Sequence, residues 1–418
     1  METMLAGIQE VLGLGAKAIL PIIICSLGLF FRMKLRDAIK AGLTVGLGFL
    51  GLGLIITLLT STLEPAVSFY QKLGSGYTII DIGWAAVGAA SWMAPFAALA
   101  IPVGLFINLA LIRFGAVRTM NIDIWNYMHF LIPGFLTYVL FSSAIAGFLV
   151  TILMSVIAIF VGDQLAPRWQ KYFGLEGTTC TTVNLIAWTF PVALIINKII
   201  DLIPGLNKID FSIEKANKRL GIMGDPVLIG LFVGALLGIL TKQNFSNTVT
   251  MGIGIAGVML LMPKMVGIMM EGLAPVGKAA NSFIKKRIET EKEIIIGMDV
   301  ALGLGDPTTI TTTVVTIPLV ILFALILPGV QFFPVGMLTS VCYFAVVCTL
   351  ASNGNLFRSV ISTLIYCIIS MYTCAYVAPG ATAMLNAAGL SINGLGTDVS
   401  VGSPIWGVLI YWLSTIFQ

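Results

Sequence analysis

The sequence predicts an all-α polytopic membrane protein built from two inverted repeats with re-entrant hairpins, and three observations carry that expectation. The 418 residues are 58% apolar and only 10% charged, with a mean hydropathy of +1.01, whereas an ordinary soluble domain carries about 25% charged residues. Apolar runs of ~20 residues, the length that crosses a bilayer as a helix, recur along the chain. Two of the apolar segments are interrupted by glycine, small residues and an acid at corresponding places in the two halves.

The apolar runs fall at 12–31, 41–59, 136–161, 186–203, 226–240, 249–270, 310–327, 360–377 and 404–417. No ten-residue alternation is present, so a β-barrel is not expected. The first run lacks a basic leader and passes straight into a basic loop, so it reads as a retained helix and not a cleaved signal peptide. A net charge of +4 is distributed mainly into three basic stretches: Arg32, Lys34, Arg36 and Lys40; Lys208, Lys215, Lys218 and Arg219; and Lys278, Lys285, Lys286, Arg287 and Lys292. Short basic loops lie in the cytoplasm, and without a soluble, aromatic-studded basic face a nucleic-acid partner is not expected. The six cysteines show no metal-type pairing and most read as small core residues, Cys180 being the exception because it lies in the polar run Gly177-Thr-Thr-Cys-Thr-Thr182. Neither a metal nor a cofactor is expected.

The chain divides into approximate repeats over 7–165 and 182–350, with C-terminal helices over 355–418, all in one membrane-embedded unit. Each repeat runs helix, basic loop, helix, then a Glu-Pro region: Leu63-Glu64-Pro65 in the first, Met270-Glu271-Gly-Leu-Ala-Pro275 in the second. An amphipathic stretch follows. The broken segments come next, Asp81-Ile-Gly-Trp-Ala-Ala-Val-Gly-Ala-Ala-Ser91 and Asp299-Val-Ala-Leu-Gly-Leu-Gly-Asp306-Pro-Thr-Thr309, and each leads into an Ile-Pro helix. The amphipathic stretch is nearly uncharged in the first copy and strongly charged in the second, which implies opposite sides of the membrane and hence inverted copies. Carriers with inverted repeats bind their solute near the midplane, where broken segments meet.

Unpaired backbone is tolerated in a membrane only where it is buried in protein or lines a wet cavity. The hairpin tips are therefore expected at 89–92 and 305–309. There Ala90, Ser91 and Trp92 in one copy, and Gly305, Asp306 and Thr308 in the other, would present amides and hydroxyls to a polyhydroxylated ligand. Polar residues inside apolar segments are functional candidates. The clearest cluster is Asn121-Ile-Asp-Ile-Trp-Asn-Tyr-Met-His129. Asp123, Asn126 and His129 supply acceptors and donors there, and Trp125 and Tyr127 an aromatic wall; the same aromatics would also suit an interfacial anchor. Glu64 and Glu271 occupy matching places in the repeats, as solute ligands or as helix caps. Asn108 and Asn184 would serve to bond helices together, and Asn353-Gly-Asn-Leu-Phe-Arg358 a polar loop or a third wall.

Four stretches taken in order, Asp123-Ile-Trp-Asn-Tyr-Met-His-Phe130, Pro204-Gly-Leu-Asn-Lys-Ile209, Met270-Glu-Gly-Leu-Ala-Pro275 and Gly354-Asn-Leu-Phe-Arg358, resemble the galactitol family of phosphotransferase-system enzyme IIC components, over almost the whole chain. The resemblance implies a bacterial inner-membrane carrier related to the ascorbate IIC proteins. It implies a scaffold domain and a mobile core with two re-entrant hairpins, moving as an elevator, in a homodimer. It also implies uptake of a hexitol, phosphorylated during transport by the phosphocysteine of a separate IIB subunit that IIA recharges. Where that family has Gly-His-Pro, this chain has Gly305-Asp306-Pro307, which leaves the polyol open among galactitol, other hexitols and pentitols.

The residues themselves support a split system. The chain has a single histidine, placed in a membrane segment, and no soluble unit with a phosphate-loop cysteine or a nucleotide loop. Chemistry in the complex would be in-line attack of a substrate hydroxyl, governed by positioning and charge. Asp123, His129 and Asp306 are the candidate bases. The rival class is a cation-coupled polyol or sugar symporter with Asp81, Asp299 or Asp306 as its ion site.

Overall fold

Six helices among the described residues are long and apolar enough to cross a membrane, at Leu35–Ala66, Ala144–Phe173, Leu185–Leu202, Phe245–Ala279, Pro307–Ile326 and Leu356–Ala387, and five shorter apolar helices accompany them. They belong to a computed structural model that describes residues 16–73, 77–123, 126–209, 211, 226–288, 293–390, 392 and 394–417. The chain order is α1 (Ala16–Phe30), α2 (Leu35–Leu73), β1 (Ile79–Asp81), α3 (Trp84–Ser91), α4 (Ala97–Arg113), β2 (Thr119–Asn121), α5 (Tyr127–Phe141), α6 (Ala144–Phe173) and β3 (Thr178–Cys180). A π-turn (Leu185–Thr189) then leads into α7 (Phe190–Leu202), followed by α8 (Pro226–Leu240), α9 (Phe245–Ile288), β4 (Ile295–Met298) and a 3-10 turn (Val300–Gly305). The chain closes with α10 (Pro307–Ile326), α11 (Val341–Ala351), α12 (Leu356–Ala387), β5 (Leu395–Thr397), α13 (Val399–Gly402) and α14 (Ile405–Phe417).

Helices α2 and α9, with 39 and 44 residues, reach roughly 60 Å at about 1.5 Å per residue, twice the ~30 Å of a hydrocarbon core. Only their first parts are apolar spans. The remainder is the amphipathic stretch that follows Glu64 and Glu271. The two helices approach closely because glycine lets their backbones touch: a Cβ at Gly272 would sit 2.7 Å from Val45 Cγ2 and 2.8 Å from the Ala41 carbonyl. Small residues at helix contacts are how membrane helices gain packing without a hydrophobic drive between them. Val45, Leu59, Val258 and Met269 are buried residues of this pair. The turn joining α1 to α2 and the turn joining α8 to α9 have the same design. Arg32 and Lys242 both take positive φ, 63° and 54°. In one turn Met33 N donates to Gly28 O, and in the other Gln243 N donates to Gly238 O, both at 2.9 Å.

Among the described residues, five strands of three or four residues form two small parallel sheets. In one, β1 pairs with β5, Asp81 standing beside Thr397, and Ile79 also bridges to Phe332. In the other, the order is β2-β4-β3, with Asn121 beside Gly297 and Cys180 beside Met298. These ladders answer the accounting problem of a broken membrane segment, whose amides and carbonyls must find partners inside the protein. The chain is thus a mostly helical polytopic protein, as predicted, with strands too short to leave any period in the sequence. All six cysteines are free, and all but Cys25 are buried.

Candidate functional site

Polar residues follow several of the strands: Asp123 lies two residues after β2, Thr181 and Thr182 follow β3, Asp299 follows β4, and Asp398 follows β5. In the three-stranded sheet, parallel pairing brings the ends of β2, β4 and β3 side by side. Beside them lies a partly open cavity of about 90 Å³. Its polar lining comes from His129 of α5, Thr182 and Asn184 after β3, Asp299 after β4, and Ser400 and Ser403 after β5; Trp84, Tyr343 and Tyr366 supply aromatic walls and Phe49 reaches in from α2.

Asp299 is held from behind. Its Oδ1 accepts from Ala301 N at 2.7 Å, which caps the 3-10 turn, and its Oδ2 lies 3.4 Å from the Thr182 hydroxyl. That hydroxyl also accepts from Val300 N at 3.1 Å and lies 3.0 Å from Asn126 Oδ1. Asn126 Nδ2 donates to Thr181 Oγ1 at 3.1 Å, and Thr181 donates onward to Asn121 Oδ1 at 3.1 Å. Asp123 accepts from Asn126 N at 3.3 Å. On the opposite side, Asn184 Nδ2 lies 3.3 Å from His129 Nδ1, and Asn184 Oδ1 accepts from Trp406 Nε1 at 3.2 Å. Asp398 Oδ1 accepts from Ser400 N at 2.7 Å and from the Ser400 hydroxyl. Asp81 accepts from Met337 N at 2.7 Å and Gly83 N at 3.2 Å, which ties the first broken segment to the chain before α11.

Of the candidates read from the sequence, the structure brings Asp123, Asn126 and His129 to the cavity region. His129 lines the cavity; Asp123 and Asn126 are buried in the network behind Thr182. Trp125 lies outside the described residues. Ala90, Ser91 and Trp92 end α3 and are not among the lining residues; the Ser91 hydroxyl donates to Gly88 O at 2.7 Å. Gly305, Asp306 and Thr308 stand at the far end of the 3-10 turn from Asp299. Asp306 caps α10, its Oδ2 accepting from Thr309 N at 2.7 Å, with Tyr172 Oη 3.4 Å from both carboxylate oxygens. Glu271 is exposed on α9, and Glu64 borders a separate open groove with Thr57, Ser61 and Thr339. Arg358 pairs with Asp201 at 2.6 Å, and Asn355 caps α12 by accepting from Arg358 N at 3.1 Å, so the Asn353–Arg358 stretch ties helices together.

The two broken segments meet the cavity through Trp84 and Asp299, while the chain between α3 and α4 turns at 92–96, just after Ser91. Thr182, Ser400 and Ser403 were not singled out. The polar runs Gly177-Thr-Thr-Cys-Thr-Thr182 and Thr397-Asp-Val-Ser-Val-Gly-Ser403, each just before an apolar helix, are the signal that marks them.

Comparison with known proteins accords with this architecture. Residues 10–394 match the family model EIIC-GAT, described as the sugar-specific permease component of a PTS system. The chain is 32% identical over 405 residues to the PTS system galactitol-specific EIIC component of Escherichia coli (strain K12), covering 96% of this chain and 89% of that protein. The galactitol-specific EIIC component of Escherichia coli O157:H7 matches with the same identity and coverage.

Proposed function

Because the chain belongs to the family of sugar-specific permease components of the phosphotransferase system, a multi-pass protein of the bacterial inner membrane, we propose that it takes up a polyol, galactitol or a related hexitol or pentitol, for phosphorylation by a separate IIB subunit. The observation that carries the reading is the cavity itself. Residues that bear hydroxyl, amide, imidazole and carboxylate groups line one space whose exposed wall is otherwise apolar and aromatic. A polyol carries a hydroxyl on each carbon, each both donor and acceptor, and such a lining matches it.

In the complex, a polyol hydroxyl oxygen attacks the phosphorus of the IIB phosphocysteine. The O–P bond forms as the S–P bond breaks, the thiolate leaves on IIB, and the hydroxyl proton passes to a base. Asp299 is the one carboxylate among the described cavity-lining residues, and it takes that role here in place of Asp306, which is not among them.

The same reading includes the repeats and the elevator. The α1–α2 and α8–α9 pairs with their matched turns correspond, as do β1 with β4 and β3 with β5. In each sheet a strand of one half is flanked by chain from the other half. Helices α1, α2, α8 and α9 form the scaffold, and the cavity-bearing remainder is the mobile core of a homodimer.

The test is reconstitution. Purified protein in vesicles should bind labelled galactitol and release polyol phosphate only when IIB, IIA and a phosphoenolpyruvate relay are added. Accumulation of free polyol driven by a proton or sodium gradient would replace this function with the symporter.

A further inference from the structure

We infer that Trp406 and Asn184 fix the tautomer of His129, so that the ring presents Nε2–H to the cavity as a hydrogen-bond donor and does not act as a base. An indole N–H only donates, so the group that Trp406 Nε1 meets at 3.2 Å must be the amide oxygen of Asn184. This settles the orientation of an amide whose two ends are otherwise easily exchanged. The NH2 group then faces His129, with Nδ2 3.3 Å from the ring Nδ1. An amide NH2 only donates, so Nδ1 must be the acceptor and carry no proton. The proton of the neutral ring therefore sits on Nε2, which has no hydrogen-bond partner among the described residues. The ring borders the cavity.

A doubly protonated ring is disfavoured for the same reason, because Nδ1–H would confront an NH2 donor. Protonation requires Asn184 to turn over and abandon Trp406. Asn184 is placed for this role by its position just before the π-turn at Leu185–Thr189, a distortion often found at functional sites. Trp406 comes from α14, far along the chain, so the tautomer depends on α14 packing back against the π-turn. Asn184 and Trp406 are thus positioning residues.

The functional consequence rests on the proposed polyol site; the tautomer does not. A substrate hydroxyl that accepts from His129 Nε2–H keeps its own proton free to donate. With Asp299 bordering the same cavity, the hydroxyl is polarised by one group and deprotonated by the other.

The chain holds a single histidine, so its imidazole nitrogens are the only ones of their kind in a long-range proton–nitrogen NMR correlation. Full-length protein labelled with ¹⁵N-histidine, in lipid nanodiscs and without substrate, should show a protonated, pyrrole-type Nε2 and an unprotonated, pyridine-type Nδ1. Trp406→Phe keeps the ring but removes the donor at 3.2 Å, leaving only the longer 3.5 Å contact from Asn184 Nδ2 to Ser400 O to orient the amide, and should give a mixture of tautomers. Asn184→Asp accepts from both Trp406 and Nδ1–H, and should move the proton to Nδ1. A wild-type ring protonated at Nδ1, or on both nitrogens at neutral pH, overturns the inference. So does an Nε2–H ring in all three proteins, since Asn184 and Trp406 would then set nothing. In the full phosphotransferase assay, Asn184→Asp should raise the KM for polyol at least tenfold. Tautomers that shift as expected without any change in KM would uphold the positioning and remove the polyol site instead.

Discussion

Replacing Asp299 with Asn tests the site at the point where binding and chemistry meet. The substitution keeps the shape. An asparagine Oδ1 still accepts from Ala301 N, where Asp299 now does so at 2.7 Å, and Asp and Asn are near-equal as caps. Thr182, relieved of the carboxylate at 3.4 Å, gives its proton to Asn126 Oδ1 at 3.0 Å, so the network behind the site stays closed. What is lost is a charged acceptor. Hydrogen bonds to charged groups contribute about 1.5–3 kcal/mol, which is roughly 10- to 150-fold in affinity. Removing a general base costs a further ~10²–10⁴-fold in rate. The expected result is therefore a larger fall in phosphoenolpyruvate-dependent polyol phosphorylation than in equilibrium binding of labelled galactitol, in protein that inserts and purifies normally. Wild-type binding and wild-type turnover in Asp299→Asn would refute the assignment, as would a variant that no longer folds, because the capping argument predicts that it does.

His129→Ala should weaken polyol binding by about 5- to 150-fold, the ~1–3 kcal/mol of one lost buried partner, measured by isothermal titration on purified protein. Asp306→Ala removes a helix cap, so it should cost ~0.5–2 kcal/mol of stability, read as a lowered unfolding midpoint, and should leave the ranking of galactitol, other hexitols and pentitols in uptake unchanged. Glu271→Gln, at an exposed position, should change uptake by less than about twofold, since surface substitutions stay within ~0.5 kcal/mol. For the inverted topology, single cysteines at Lys72 and Lys285 in a cysteine-free background should differ in whole cells: the first labelled from outside, the second not.

The membrane-spanning character was legible because it is a property of averages. Long apolar helices such as Ala144–Phe173 announce themselves through composition alone. The broken segments were legible as breaks, since glycines and acids such as Gly83 and Asp299 interrupt otherwise apolar stretches. Which of their residues line the cavity was not. Gly305-Asp306-Pro307 looks like a tip because those residues end helices and turns, yet Asp306 and Pro307 begin α10, where an aspartate cap followed by proline is the ordinary start of a helix. The strands were illegible for a physical reason: three residues such as Thr119–Asn121 give no alternation to read, and their pairing is with chain far away. Asn184 was read as a residue that bonds helices, which it is. That its partner was the one histidine is set by α14 folding back, and nothing local encodes it.

The exchange of strands between the halves bears on how such a protein is made. When the ribosome has delivered residues 79–81, the partner that will pair with them along one edge, residues 395–397, has not yet been synthesised, and neither has Phe332 on the other edge. The three-stranded sheet has the same problem, with β2 and β3 waiting for β4. During synthesis these segments hold exposed amides and carbonyls in or near hydrocarbon, where each unmet group costs several kcal/mol. They must wait in water, at the interface or in the shelter of the insertion machinery until the distal chain arrives. Non-local pairing of this kind is slow to form. Nascent chains arrested before β5 should thus remain protease-sensitive around residue 80 even though α1 and α2 have already inserted.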